Sequence, residues 1–158
     1  WRIFESWEDA YTVTDGVLTV TGVAFATAIP EPKALGMDSI AITDHGALYG
    51  TVQFVQAATK RGIKPIIGVE TYVARRGMGD KEGKADQQPF HLVLLATSAT
   101  GYRNLCRLVT DAHLDGMYYK PRIDLEHLAK HSEGLIGLSG CLNGEGTGII
   151  GYGHGSIQ

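Results

Sequence analysis

The amino-acid sequence predicts an α/β fold, and three observations carry that prediction. Short apolar runs of strand length recur along the chain, most clearly SIAIT at residues 39–43 and FHLVLLA at residues 90–96. Segments with apolar residues at helical spacing stand between such runs, and glycine or charged clusters separate the two kinds. Composition fits a folded domain: the 158 residues are 44% hydrophobic and 20% charged, which excludes a disordered or fibrous class. A chain of about 150 residues buries roughly 68–70% of its unfolded surface, enough for one core. Strands that alternate with helices imply parallel pairing, as in a barrel or an open doubly wound sheet.

Residues 12–29 are rich in Val, Thr, Ala and Gly without helical periodicity, and Pro30 and Pro32 interrupt any helix beyond them. The strand at 39–43 ends in the polar trio Asp44, His45 and Gly46. A helix is expected over 49–61, with Val52, Val55 and Ala58 at helical spacing and Gly62 as a C-terminal glycine cap. Next comes a strand at 64–73, then the glycine-rich, charged stretch RRGMGDKEGKADQQ at 75–88, which reads as an exposed loop. After the strand at 90–96, residues 100–113 form a helix with Leu105, Leu108, Val109 and Ala112 on one face. A shorter helix over 123–131 and a strand at 135–138 complete the pattern. The chain thus divides into an N-terminal segment 1–32, a domain at 33–145, and a tail at 146–158 that carries Gly146, Gly148, Gly151, Gly153 and Gly155.

Net charge is −3, so the chain has no surplus of Lys and Arg with which to grip duplex DNA unaided. Two cysteines, Cys106 and Cys141, make no CxxC and no disulfide framework, and point to a reducing, cytoplasmic setting. The opening WRIFESWEDA mixes acidic and aromatic residues and is not expected to be a signal peptide. No run approaches the roughly 18 apolar residues of a membrane span.

Candidate chemistry collects at strand ends. Asp44 and His45 follow the first clear strand, Glu70 lies near the end of the second, and Cys141 follows the last. In parallel α/β folds sites assemble at the carboxyl ends of strands. His91, at the start of its strand, is a fourth candidate whose face the sequence does not fix. Imidazole, carboxylate and thiolate form a ligand set for zinc or a related metal. Each residue also has a plain reading: His91 as a hydrogen-bonded structural residue beside Phe90, and Cys141 as a small buried hydrophobe. Glu70 is harder to place without a cation or donor, because an ionised carboxylate is costly to bury. His113, His127 and His131 fall on expected helices as solvated or end-of-helix residues. The segment GDKEGK at 79–84 lacks the spacer and the Ser or Thr of a phosphate-binding loop, and no Gly-x-Ser-x-Gly elbow is present.

Five ordered strings carry a resemblance: LGMDSIAITDHGALYGTVQF, GIKPIIGVETYVA, HLVLLATSATGYRNLCRLVTDAHLDG, YYKPRIDLEHL and GLIGLSGCLNGE. Together they closely resemble the PHP domain at the N-terminus of the bacterial DNA polymerase III alpha subunit. The resemblance implies a distorted seven-stranded β/α barrel, incomplete in this chain, with a divalent metal (zinc, manganese or magnesium) at the strand ends. By matching positions it implies His45, Glu70, His91 and Cys141 as ligands and Asp44 as the catalytic or supporting residue beside them. The stretch DAYTVTDG at 9–16 is similar to the family's opening motif and makes Asp15 a further ligand. The family's His-x-His falls on Ser6, Trp7 and Glu8, so two ligands are missing, and residues 21–32 and those after Glu145 depart from the family's helices. No paired-aspartate polymerase site is present. The implied role is that of a structural platform within a DNA-directed DNA polymerase, with a degenerate metal site. It would join the remainder of the alpha subunit and a proofreading exonuclease subunit, and meet DNA through the complete polymerase. The alternative is an active metal-dependent phosphoesterase or 3′→5′ exonuclease.

Overall fold

The computed structural model describes residues 11–14, 17–20 and 36–139. The expectations placed on Ser6 to Glu8, Asp15, residues 21–32, Cys141 and the tail at 146–158 lie outside the described residues. The elements run β1 (Tyr11–Thr14), β2 (Val17–Val20), β3 (Ser39–His45), α1 (Thr51–Lys60), β4 (Lys64–Val73), α2 (Gly83–Asp86), β5 (Phe90–Ala96), α3 (Ala99–Leu114), β6 (Met117–Tyr118), β7 (Lys120–Ile123), α4 (Leu125–Lys130) and β8 (Leu135–Ser139). The α/β class therefore holds. Among the described residues the strands form one open sheet in the order β1-β2-β3-β4-β5-β8, with β7 also on β4 and β6 on β7.

Parallel pairing is only half right. β2 with β3, β3 with β4 and β4 with β7 are parallel, but β5 is antiparallel to both β4 and β8. A parallel return needs a crossover that carries the chain back along the sheet, usually a full helix. Between β4 and β5 only the four-residue α2 intervenes, so β5 comes back beside β4 in the opposite sense.

Ile40, Ala41, Ile42 and Thr43 are buried in succession, as expected of a central strand covered on both faces. α1 packs Phe54 and Ala58 onto Ile40, Ile42 and Ile63. It ends as its glycine cap predicts: Gly62 has φ 69°, and the Ile63 amide donates to the Ala58 carbonyl at 3.1 Å. β5 alternates, with Phe90, Leu92 and Leu94 buried against Leu105, Leu108 and Ala112 of α3, together with Val69, Val73, Ile123 and Leu135. Ser98 caps α3 by accepting from the Gly101 amide at 3.1 Å. Gly101 itself has no room for a side chain, because an added methyl would collide with the Gly134 backbone.

The helix expected over 123–131 begins later. Ile123 ends β7, and the Asp124 side chain caps α4 by accepting from the His127 amide at 2.8 Å. The charged stretch at 75–88 is largely exposed, as expected, but it is also fastened down. Asp86 is buried and ion-paired to Arg76, while the fully buried Arg122 donates to the carbonyls of Met78 (3.0 Å), Asp80 (2.8 Å), Asp86 (3.0 Å) and Gly116 (3.1 Å).

Candidate metal centre

Strand register brings the candidate site together. In the parallel β3–β4 pair His45 stands opposite Glu70, and in the antiparallel β4–β5 pair His91 stands opposite Tyr72, one same-face step from Glu70. Val69 and Val73 of β4 turn toward α3, so Glu70 and Tyr72, alternating with them, look out on the other face. Because β5 runs backwards, its first residues share an end of the sheet with the last residues of β3. That is how His91, at a strand start, meets His45, at a strand end.

The Glu70 carboxylate lies between the two imidazoles. Its Oε2 is 3.2 Å from His45 Nε2, and His91 Nδ1 is 2.6 Å from its Oε1. The His45 side chain is 50% exposed and that of Glu70 15%, so the cluster is open on the His45 side. The hydrogen bond to His45, followed by that to His91, holds the Glu70 carboxyl below its ordinary range. In turn the Glu70 hydrogen bond raises the His45 imidazole. The Tyr72 ring meets His91 edge to face, with centroids 5.1 Å apart, and Lys120 Nζ lies 5.3 Å from the Tyr72 ring centroid. Burial and the Glu70 charge raise the Tyr72 phenol, so it stays neutral.

The turn after β3 is fixed from three sides. Gly46 has φ 60°, its amide donates to the Glu70 carbonyl at 2.9 Å, and its own carbonyl accepts from His113 Nε2 at 2.8 Å. His113, expected as a solvated or end-of-helix residue, lies in the last turn of α3 and is tied to the turn that follows His45. Asp44 does not join the cluster of donors; its Oδ2 accepts from the Gly50 amide at 2.9 Å and braces the loop into α1. Asp15 and Cys141 lie outside the described residues, but β8 ends with Ser139 opposite Leu92, at the same end of the sheet as His91.

One donor atom from each of His45, Glu70 and His91 falls within 4.8 Å of the others. Two imidazoles and a carboxylate are the donor set of three-ligand zinc sites that keep a further position open, so these residues fit a divalent transition metal. A second cluster of the same composition, Asp111, His127 and His131, was not singled out by the sequence. The helical spacing of the two histidines was visible, but Asp111 comes from another helix.

The PHP domain family model matches residues 18–155. The chain belongs to the PHP domain family. Among curated relatives it is 55% identical over 118 residues to the DNA polymerase III subunit alpha of Thermus aquaticus, covering 73% of this chain and 9% of that protein. Against the subunit from Borreliella burgdorferi the figures are 42% over 135 residues, 85% of this chain and 11% of that protein. Against the Treponema pallidum subunit they are 43% over 136 residues, again 85% and 11%. The chain therefore spans about a tenth of the length of these relatives. No helix among the described residues is long and apolar enough to cross a membrane.

Proposed function

We propose that this chain is the PHP domain of a DNA polymerase III alpha subunit and serves DNA replication as a platform within that polymerase. The observation that supports this reading is the 42–55% identity to alpha subunits across most of the chain. The remainder of the alpha subunit is its first partner, a proofreading exonuclease subunit its second, and DNA is met through the complete polymerase in the cytoplasm. His45, Glu70 and His91 would hold a divalent metal, zinc, manganese or magnesium, with Asp15 and Cys141 as further ligands. When bound, that metal supplies Lewis-acid stabilisation of charge on a phosphate ester. The chain's own residues supply orientation. Glu70 holds both imidazoles, Asp44 and His113 brace the loop that follows His45, and Lys120 brings a positive charge to the Tyr72 side.

Ser6 and Glu8, where the family carries histidines, favour the platform over a hydrolytic role. The test pairs two measurements on the protein: binding to a proofreading exonuclease, and release of nucleotides from the 3′ end of single-stranded DNA with each metal added. Binding that survives a His45→Ala, Glu70→Ala double change, with no metal-dependent release, is expected. Nucleotide release that His45→Ala abolishes would overturn the platform in favour of the exonuclease.

A further inference from the structure

We infer that Asp111, His127 and His131 form a second metal site, for a zinc-class dication, that joins α3 to α4. It shares no residue with the cluster of His45, Glu70 and His91. Asp111 sits in the last turn of α3, His127 within α4, and His131 at the C-terminal cap of α4. Four residues apart, the two histidines fall on one side of the short helix, with ring centroids 4.8 Å apart. Asp111 approaches that side from α3, its Oδ2 2.9 Å from His127 Nε2, and one donor atom of each of the three lies within 4.8 Å of the others.

The donor set, two imidazole nitrogens and a carboxylate oxygen, is that of a zinc site with a further position left open. Tetrahedral ligands at about 2.0–2.1 Å stand roughly 3.4 Å from one another, wider than the 2.9 Å between Asp111 Oδ2 and His127 Nε2 and inside the 4.8 Å that bounds all three donors, so small ring rotations close the site. Burial favours occupancy as well. The Asp111 side chain is only 6% exposed and that of His127 15%, and the buried His127 Nε2 makes no aligned hydrogen bond although the Asp111 oxygen is near. A buried polar nitrogen facing a carboxylate without a hydrogen bond to it is costly, and a shared cation satisfies both.

The packing gives such a metal something to do. No residue of α4 is buried, and Leu128 makes the helix's partly buried contact with the core, so polar links hold it in place. One competitor is present: Arg107 Nε lies 2.7 Å from the same Asp111 oxygen. Its side chain is 64% exposed, so the guanidinium can turn to water when a dication arrives.

The experiment is zinc binding by the 158-residue chain, measured by competition with a chromophoric chelator, for the unmodified protein, His131→Ala and Arg107→Gln. We expect His131→Ala to bind one equivalent fewer than the unmodified chain. Arg107→Gln should bind that equivalent up to about fivefold more tightly, because a competing surface ion pair is gone. The Arg107 variant guards against a folding artefact, since it gains affinity rather than losing it. Equal zinc stoichiometry in the unmodified chain and His131→Ala would overturn the inference. So would an Arg107→Gln affinity no tighter than that of the unmodified chain, since Asp111 would then serve only as a polar clasp. Mutation of His45 should leave this equivalent bound, which separates the outcome from that of the first site.

Discussion

Truncating Arg122 to alanine should destabilise the domain by about 3–5 kcal/mol, because it leaves four backbone carbonyls without their buried charged donor. The side chain is fully buried, and its guanidinium donates to four backbone carbonyls, those of Met78, Asp80, Asp86 and Gly116. Hydrogen bonds from a charged donor contribute about 1.5–3 kcal/mol each, which summed over four gives an upper bound of roughly 6–12 kcal/mol. Removing the cation also recovers its own desolvation, several kcal/mol, and carbonyls of the exposed 75–88 stretch can turn to water, which brings the net cost down to the lower range. Against a typical stability of about 5–15 kcal/mol this is a large fraction. At about 2–4 °C per kcal/mol for a chain of this size, the melting temperature should fall by roughly 6–20 °C. Circular dichroism melts measure it. Trypsin supplies an independent readout, because Lys81 and Lys84 lie exposed in the stretch that Arg122 holds, and cleavage after them should accelerate. Arg122→Lys keeps the charge but replaces a planar fork by one nitrogen, so it should fall between the two. An alanine variant that melts within about 2 °C of the parent and resists trypsin equally would refute the reasoning.

Glu70→Gln should weaken metal binding at the first site by more than the roughly 10–100-fold that loss of an outer partner costs, because it removes a charged ligand outright. Chelator competition measures this, and an unchanged affinity would remove Glu70 from the ligand set. A third prediction concerns acid stability. The Arg76 hydrogen bond, then the Glu82 amide, holds the Asp86 carboxyl below its ordinary 3.8. A depressed carboxylate stabilises the fold fully above its unfolded value and loses that contribution as pH falls through the folded one. Asp86→Asn should therefore lower the urea midpoint at pH 7, and the gap to the parent should shrink as pH drops below 3.8. A gap that stays constant or widens in acid would show that the Arg76 ion pair is not its source.

Strand positions were legible because covered strands must be apolar: Ile40 to Ile42 and Leu92 to Leu94 announce themselves whatever they pair with. Direction was not, since an alternating apolar pattern reads the same forwards and backwards. For β5 the direction was set instead by the short connection after β4, and with it the end of the sheet at which His91 stands. Arg122 was hidden for a different reason. In KPRID it looks like one more surface charge, and its partners are backbone carbonyls, which leave no side-chain signature. Asp111 was obscured likewise, because a helical Asp beside Arg107 reads as a solvated i,i+4 pair.

The placing of His45 follows from how β4 shares one of its edges. β3 occupies that edge from Lys64 to Glu70, and β7 takes it over at Tyr72 and Val73. The chain must therefore leave the sheet directly after His45, and it does so through Gly46. A Cβ on Gly46 would stand 2.7 Å from the Pro121 side chain and 3.1 Å from the Tyr72 ring. The φ of 60° at this residue also favours glycine on conformational grounds. The glycine after Asp44 and His45 is thus a consequence of two strands meeting on one edge. The same meeting that forces β3 to stop leaves His45 as its last paired residue, directly opposite Glu70. It also sets Lys120, the first residue of β7, over the Tyr72 ring that borders both histidines. Geometry of the candidate centre is in this sense a property of the sheet, and β7, which holds no proposed ligand, determines where His45 stands.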